Sequence, residues 1–196
     1  MKRFCHLTSS ERTQSLQSTI DSAPDSEAML LFAYGSLIWR PCFQVQSTYK
    51  AILHGYRRDF CVYTVEARGK PNNPGLGLGL RVDSGMCEGV LLALPEDGRC
   101  EALNSIWERE MLTSVYQPQW VSVEVDTKVT TALTFVVDET HPQCAVGLSE
   151  EAQARMIGSA TGQLGSCRDY LMNTIDALRN AGIHDPTLER LLRCVN

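Results

Sequence analysis

The chain carries 196 residues, with 18 basic and 23 acidic side chains, a formal net charge of −5 and 43% hydrophobic residues. At about 150 residues per domain this length suits one domain with or without an appendage, able to bury roughly 70% of its unfolded surface without a disulfide or metal staple. The net-negative, mixed-sign composition excludes disorder, collagen and coiled coil, and argues against a nucleic-acid partner, which would call for a basic stripe.

Residues 1–28, rich in Ser, Thr, Gln and charge, read as an N-terminal extension with a short helix around 10–20 that docks on the domain. The first twenty residues hold no apolar run of seven or more. No later segment approaches the roughly 20 apolar residues of a membrane helix, so no membrane partner is expected.

The domain proper spans 29–196. It opens on MLLFAYGS at 29–36, a short apolar run stopped by Gly-Ser, which suits a buried strand ending in a tight turn. Strand patterns follow at 47–54, 58–65, 76–82 and 87–94. Helical spacing covers 97–112, and two more strand patterns occupy 119–125 and 131–137. Ser149 followed by two glutamates opens a helix. Ser166 with Asp169 resembles a capping box, with Asp in place of the usual Glu or Gln. Its helix carries Leu171, Ile175 and Leu178 on one stripe and stops at Gly182. Asp185-Pro186 starts a last short helix. Strands with one inserted helix, then three helices, make an α+β domain with a curled, barrel-like, mostly antiparallel sheet.

Eight cysteines, at 5, 42, 61, 87, 100, 144, 167 and 194, form no C-x-x-C pair and match no zinc site. The expectation is reduced, scattered thiols in a cytoplasmic protein. His6, His54, His141 and His184 form no spaced pair, so neither a metal site nor a Ser-His-Asp triad is expected.

Three features can carry chemistry. In Tyr34-Gly35-Ser36-Leu37 the glycine lets a ligand approach the main chain and successive N–H groups form an anion-binding concavity; a plain strand-ending turn is the alternative. On the helix at 97–112, Leu103, Ile106 and Trp107 continue at the next position of the same face to Glu110, whereas Glu101 and Glu108 fall on the wet side. Burial on that stripe would raise the pKa of Glu110 and suit a general acid/base; alternatively Glu110 snorkels to solvent or pairs with Arg109 or Arg57. Finally, Gly75-Leu76-Gly77-Leu78-Gly79-Leu80 puts three glycines on one strand face and three leucines on the other, as a bent barrel strand or as room for a ligand.

FAYGSLIWRP at 32–41 resembles the signature of the ChaC family of γ-glutamylcyclotransferases. WEREMLTSVYQPQWV at 107–121 is similar to its catalytic-helix segment and IGSATGQLGSCRDYL at 157–171 to its C-terminal helical segment. The intervening ARGKPNNPGLGLGL resembles its R-G-x-P…PGL stretch. These motifs run in order over most of the chain and look closer to bacterial-type than to animal members. The resemblance implies a γ-glutamylcyclotransferase-like fold, makes 29–196 the catalytic domain, and implies a carbon–nitrogen (amidine-type) lyase of glutathione catabolism with no cofactor and no metal. The α-amino nitrogen of the γ-glutamyl unit would attack its own γ-carbonyl, releasing 5-oxoproline and cysteinylglycine. Carried over by position, Glu110 is the catalytic glutamate, Tyr34, Gly35, Ser36 and Leu37 form the substrate-cradling loop, and Tyr170 is the C-terminal tyrosine near the substrate. Arg68 is a candidate to meet the glycine-end carboxylate.

The alternatives are a cyclotransferase for other γ-glutamyl amino acids or amines, a thiol hydrolase built on Cys42 with His54 or His141, and a non-catalytic γ-glutamyl sensor. The oligomeric state is left open.

Overall fold

Five strands, each burying apolar side chains on the inside, close the sheet on itself. A computed structural model describes residues 2–24 and 29–195; residues 1, 25–28 and 196, part of the expected extension and domain end, lie outside the described residues. The strands are β1 (Leu30–Ala33), β2 (Thr48–Thr64), β3 (Gly75–Ala93), β4 (Tyr116–Val125) and β5 (Lys128–Val137). They form a closed barrel in the order β1-β3-β2-β4-β5. The β1–β3, β2–β3 and β4–β5 ladders are antiparallel, and Leu31 meets Leu133 in parallel across the closing β1–β5 seam. The α+β fold with a small barrel-like sheet is therefore the one expected.

The sheet departs from the expected strands in one respect. The patterns at 47–54 and 58–65 are one strand, β2, and those at 76–82 and 87–94 are one strand, β3. The break in the pattern at Gly55, whose φ is 83°, is a bulge between His54 and Tyr56 that shifts register against β3 without ending either strand. A bulge bends a strand and increases its twist, as a small barrel requires.

The leucine–glycine alternation at the start of β3 shows how the barrel is filled. Leu76, Leu78 and Leu80 are buried in the core with Phe32, Phe60 and Leu133. On the other face, a methyl group built on Gly79 would stand 2.2 Å from Val137 Cγ2 and 2.7 Å from Cys61 Sγ, and one on Gly75 would stand 2.4 Å from the Arg68 carbonyl oxygen. These two glycines allow neighbouring backbone and side chains to pack against the strand.

Among the described residues, five helices surround the barrel: α1 (Ser9–Asp21), α2 (Arg99–Glu110), α3 (Glu150–Ser159), α4 (Cys167–Asn180) and α5 (Pro186–Cys194). The helix expected around 10–20 is α1, started by a full capping box between Thr8 and Glu11. It packs on the rest of the chain through Leu16, a Trp107 Nε1 bond to Ser15 Oγ (3.2 Å) and a Trp120 Nε1 bond to the Thr19 carbonyl (3.0 Å). Ser149, Ser166 and Asp185 cap α3, α4 and α5. At Ser166 only the serine half of the box forms, because Asp169, one methylene shorter than glutamate, makes no return bond among the described residues. Among the described residues, no helix is long and apolar enough to cross a membrane.

Candidate active site

Helix α2 buries Ala102, Leu103, Ile106 and Trp107 against the barrel, and the same face carries Glu110 at the helix's last position. The Glu110 side chain is 16% exposed, and that remaining exposure faces a cavity it helps to line. Burial pushes its pKa above the ordinary carboxylate range, opposed by the Arg109 guanidinium beside it. Its place at the helix C-terminus, where carbonyl dipoles present partial negative charge, also disfavours the carboxylate.

A small cavity of about 40 Å³ is lined by Tyr34, Gly35, Ser36, Leu37, Glu110 and Tyr170, joined by Leu78, Tyr116 and Phe135. The glutamate, the four loop residues and Tyr170 expected from the sequence thus meet in one place; Arg68, the remaining substrate-contact candidate, does not line this cavity. Strand β1 delivers the loop, α2 the glutamate and α4 the tyrosine. The loop turns immediately: the N–H of Ile38 bonds to the Gly35 carbonyl (3.0 Å) and that of Arg40 to the Ser36 carbonyl (2.8 Å). Among the described residues, the N–H groups of Gly35, Ser36 and Leu37 find no protein acceptor and remain available as donors. Gly35 is not in the left-handed region, and a methyl group built on it would stand 3.5 Å from Leu78 Cδ1 and Tyr170 Oη. Its contribution is space.

Arg109 joins the glutamate to the loop. Its Nε lies 3.2 Å from Glu110 Oε1, its Nη2 donates to Ser36 Oγ (2.7 Å), and its Nη1 donates to the Arg40 carbonyl. Of the two arginines expected as possible partners for Glu110, it is Arg109 that pairs; Arg57 is held by Asp59 and Asp83. The phenols of Tyr34 and Tyr116 donate to the carbonyls of Phe135 (2.8 Å) and Leu78 (2.6 Å), and burial lifts both pKa values well above the ordinary. Both hydroxyls are therefore fixed donors that brace the cavity wall. Burial pushes Tyr170 up to about 12, against contacts from the Leu78 backbone and the Ser36 hydroxyl that lower it.

Ser36, Glu110, Tyr116 and Tyr170 also line a second cavity of about 580 Å³, which extends past Trp39, Arg68 and Gly77. Cys42 lines it too, but neither His54 nor His141 does: His54 pairs with Glu124 (2.9 Å), and His141 Nδ1 accepts the N–H of Gln143 (3.1 Å). Burial also raises the Cys42 pKa, which lowers the thiolate fraction a nucleophile needs. Among the described residues, no three His, Cys, Asp or Glu side chains come together as a metal-binding group.

Sequence reading missed Tyr116 and Trp39. Tyr116 opens β4 immediately after the turn that follows α2, and Trp39 lies inside the signature loop, where Nε1 donates to Thr174 Oγ1 (3.2 Å). The signal that could have found them is that Trp39 lies within the motif at 32–41 and Tyr116 within that at 107–121.

Comparison with known proteins places this constellation in context. A family model described as ChaC-like protein matches residues 29–196. A glutathione-specific γ-glutamylcyclotransferase of Escherichia coli (strain K12) is 32% identical over 93% of this chain and 79% of its own length. The Rattus norvegicus glutathione-specific γ-glutamylcyclotransferase 1 is 28% identical over 87% of this chain and 80% of its own. Among solved structures, a yeast γ-glutamyl cyclotransferase specific to glutathione shares the fold with a TM-score of 0.79 at 21% identity, covering 87% of this chain and 96% of the yeast one.

Proposed function

This chain belongs to the ChaC-like family, and we propose that it is a glutathione-degrading γ-glutamylcyclotransferase, a carbon–nitrogen lyase in which Glu110 is the general acid/base. The observation that carries the reading is a carboxyl with a raised pKa on the wall of a cavity, beside a turn with unused N–H donors.

The reaction is intramolecular, so the protein has to fold the substrate into a near-attack shape and move protons. At neutral pH the α-amino group of the γ-glutamyl unit is protonated and cannot attack. Glu110, as carboxylate, accepts one ammonium proton. The freed nitrogen lone pair forms a bond to the γ-carbonyl carbon, and the carbonyl electrons move onto oxygen. The N–H groups of residues 35–37 are donors suited to that oxyanion or to the α-carboxylate. Collapse of the intermediate breaks the bond from the γ-carbon to the cysteine nitrogen, which takes the proton from Glu110; the carboxylate so regenerated takes the second proton from the ring nitrogen and passes it to the released amine, which leaves as an ammonium. The ring leaves as 5-oxoproline and the remainder as cysteinylglycine, and Glu110 returns to its starting state. A base with a raised pKa suits this double duty, because it takes and returns a proton near neutral pH.

The setting we propose is the cytoplasm, where reduced glutathione is abundant, and the eight unpaired cysteines are compatible with it. The test is 5-oxoproline release from glutathione and from γ-glutamyl-alanine, with Glu110→Gln alongside. Release from glutathione that Glu110→Gln abolishes supports the reading; no release from glutathione, or an unaffected variant, overturns it.

A further inference from the structure

Arg68 is only 9% exposed, yet among the described residues it makes no ion pair. The single hydrogen bond of its guanidinium runs from Nη1 to the Ser166 carbonyl (3.2 Å). The guanidinium lies over two aromatic faces, 5.8 Å from the Trp39 ring centre and 5.6 Å from that of Tyr170. A guanidinium has five N–H donors in a rigid fork, and neither Nε nor Nη2 is sealed in protein without a partner. The donors left over open onto the large cavity that Arg68 lines. Asp169 is the nearest acid but forms no close pair with it, and a buried cation with unused donors and no carboxylate at ion-pair distance is costly unless something anionic meets it.

The other two arginines of that cavity do not offer the same vacancy. Arg109 is committed to Glu110, Ser36 and the Arg40 carbonyl, and Arg40 is exposed. With three arginines and one glutamate on its wall, the cavity favours an anion.

We infer that this cavity is the subsite for the leaving peptide and that Arg68 binds its terminal carboxylate. The inference rests on the proposed function and deepens it. Tyr170 sets the spacing: its Oη end reaches the Gly35 position at the γ-glutamyl end, and its ring carries Arg68. A dipeptide spans about 7 Å when extended, enough to run from a reacting carbon near Glu110 along one aromatic ring to the guanidinium. A planar fork matches a carboxylate through two hydrogen bonds, and an amide or ester at the same place would leave donors unmet. The subsite therefore selects γ-glutamyl peptides with a free terminal carboxylate.

The experiment compares glutathione with glutathione whose glycine carboxylate is an amide, on the unaltered protein and on Arg68→Gln and Arg68→Lys. The unaltered protein should prefer the acid by about 10- to 100-fold in kcat/KM, the range for charge-assisted hydrogen bonds. The loss should lie mainly in KM, since the leaving peptide's carboxylate is bound alike in ground and transition states. Arg68→Gln should lose that preference by slowing the acid and leaving the amide nearly unchanged, and Arg68→Lys should fall between. Equal use of acid and amide by the unaltered protein overturns the assignment, whether or not the variants fold. Equal losses on both substrates in Arg68→Gln also overturn it, since they mark a structural role or a bond to the α-carboxylate. Calorimetry with both ligands on Glu110→Gln reads the same preference without turnover, so a failure of the cyclisation chemistry is distinguishable from a failure of the Arg68 assignment.

Discussion

Arg109 and Glu110 are consecutive residues of α2, yet Arg109 Nε stands 3.2 Å from Glu110 Oε1. Neighbours along a helix normally point away from each other. Here the helix ends at Glu110, and the arginine is drawn sideways by Ser36 Oγ and the Arg40 carbonyl. The glutamate thereby sits between two opposing influences, burial that raises its pKa and a cation that lowers it.

If Glu110 moves the protons, Glu110→Gln should lower kcat by about 100- to 10,000-fold, the usual range for a lost general acid/base, with glutathione still binding by calorimetry. A separate consequence concerns stability. The folded-state pKa of Glu110 is raised, so its contribution is fully present below the unfolded value and is lost as pH rises through the folded one. Glu110→Gln cannot ionise. It should melt above the parent protein at about pH 8, with the gap closing towards about pH 4; a gap that widens on acidification would contradict the raised pKa.

Removing the neighbouring cation should push Glu110 further up. In Arg109→Met the acidic limb of the kcat/KM profile should shift to higher pH, because an opposite charge no longer favours the carboxylate. Arg109→Lys should restore part of the shift. An acidic limb that does not move in Arg109→Met would show that the pair does not tune Glu110.

The glycines of β3 should separate by position. Gly79→Ala and Gly75→Ala place a methyl group against atoms 2.2 and 2.4 Å away, and each should cost about 1–3 kcal/mol of stability in denaturant titration. A methyl group on Gly77 has Val62 O at 3.7 Å and no closer neighbour, so Gly77→Ala should fold normally. Because Gly77 lines the large cavity, that variant should instead raise KM. Equal destabilisation at all three positions would refute the distinction between packing and ligand space.

Cys42→Ala should keep activity close to that of the parent protein. Burial holds the thiol protonated, and neither candidate histidine lines its cavity. Loss of 5-oxoproline release in Cys42→Ala, with Glu110→Gln still active, would restore the thiol hydrolase reading.

What the sequence determined by itself is local in origin. The 3.6-residue spacing that put Glu110 on the face of Leu103, Ile106 and Trp107, the caps at Ser149, Ser166 and Asp185, and the Gly-Leu alternation all depend on residues a few positions apart. The motif order from 32 to 171 supplied the family resemblance and the six candidate residues. The remaining features depend on residues far apart in the chain. Whether Gly55 ends a strand or bends it depends on the β3 backbone opposite. That Arg109 and not Arg57 meets Glu110 follows from Ser36, 73 residues away, and Trp39 is held by Thr174, 135 residues away. Arg68 becomes an unpaired, buried cation only because barrel closure and α4 bring Trp39, Ser166 and Tyr170 around it. Periodicity tells which way a side chain points from its own element; barrel closure decides what it meets there.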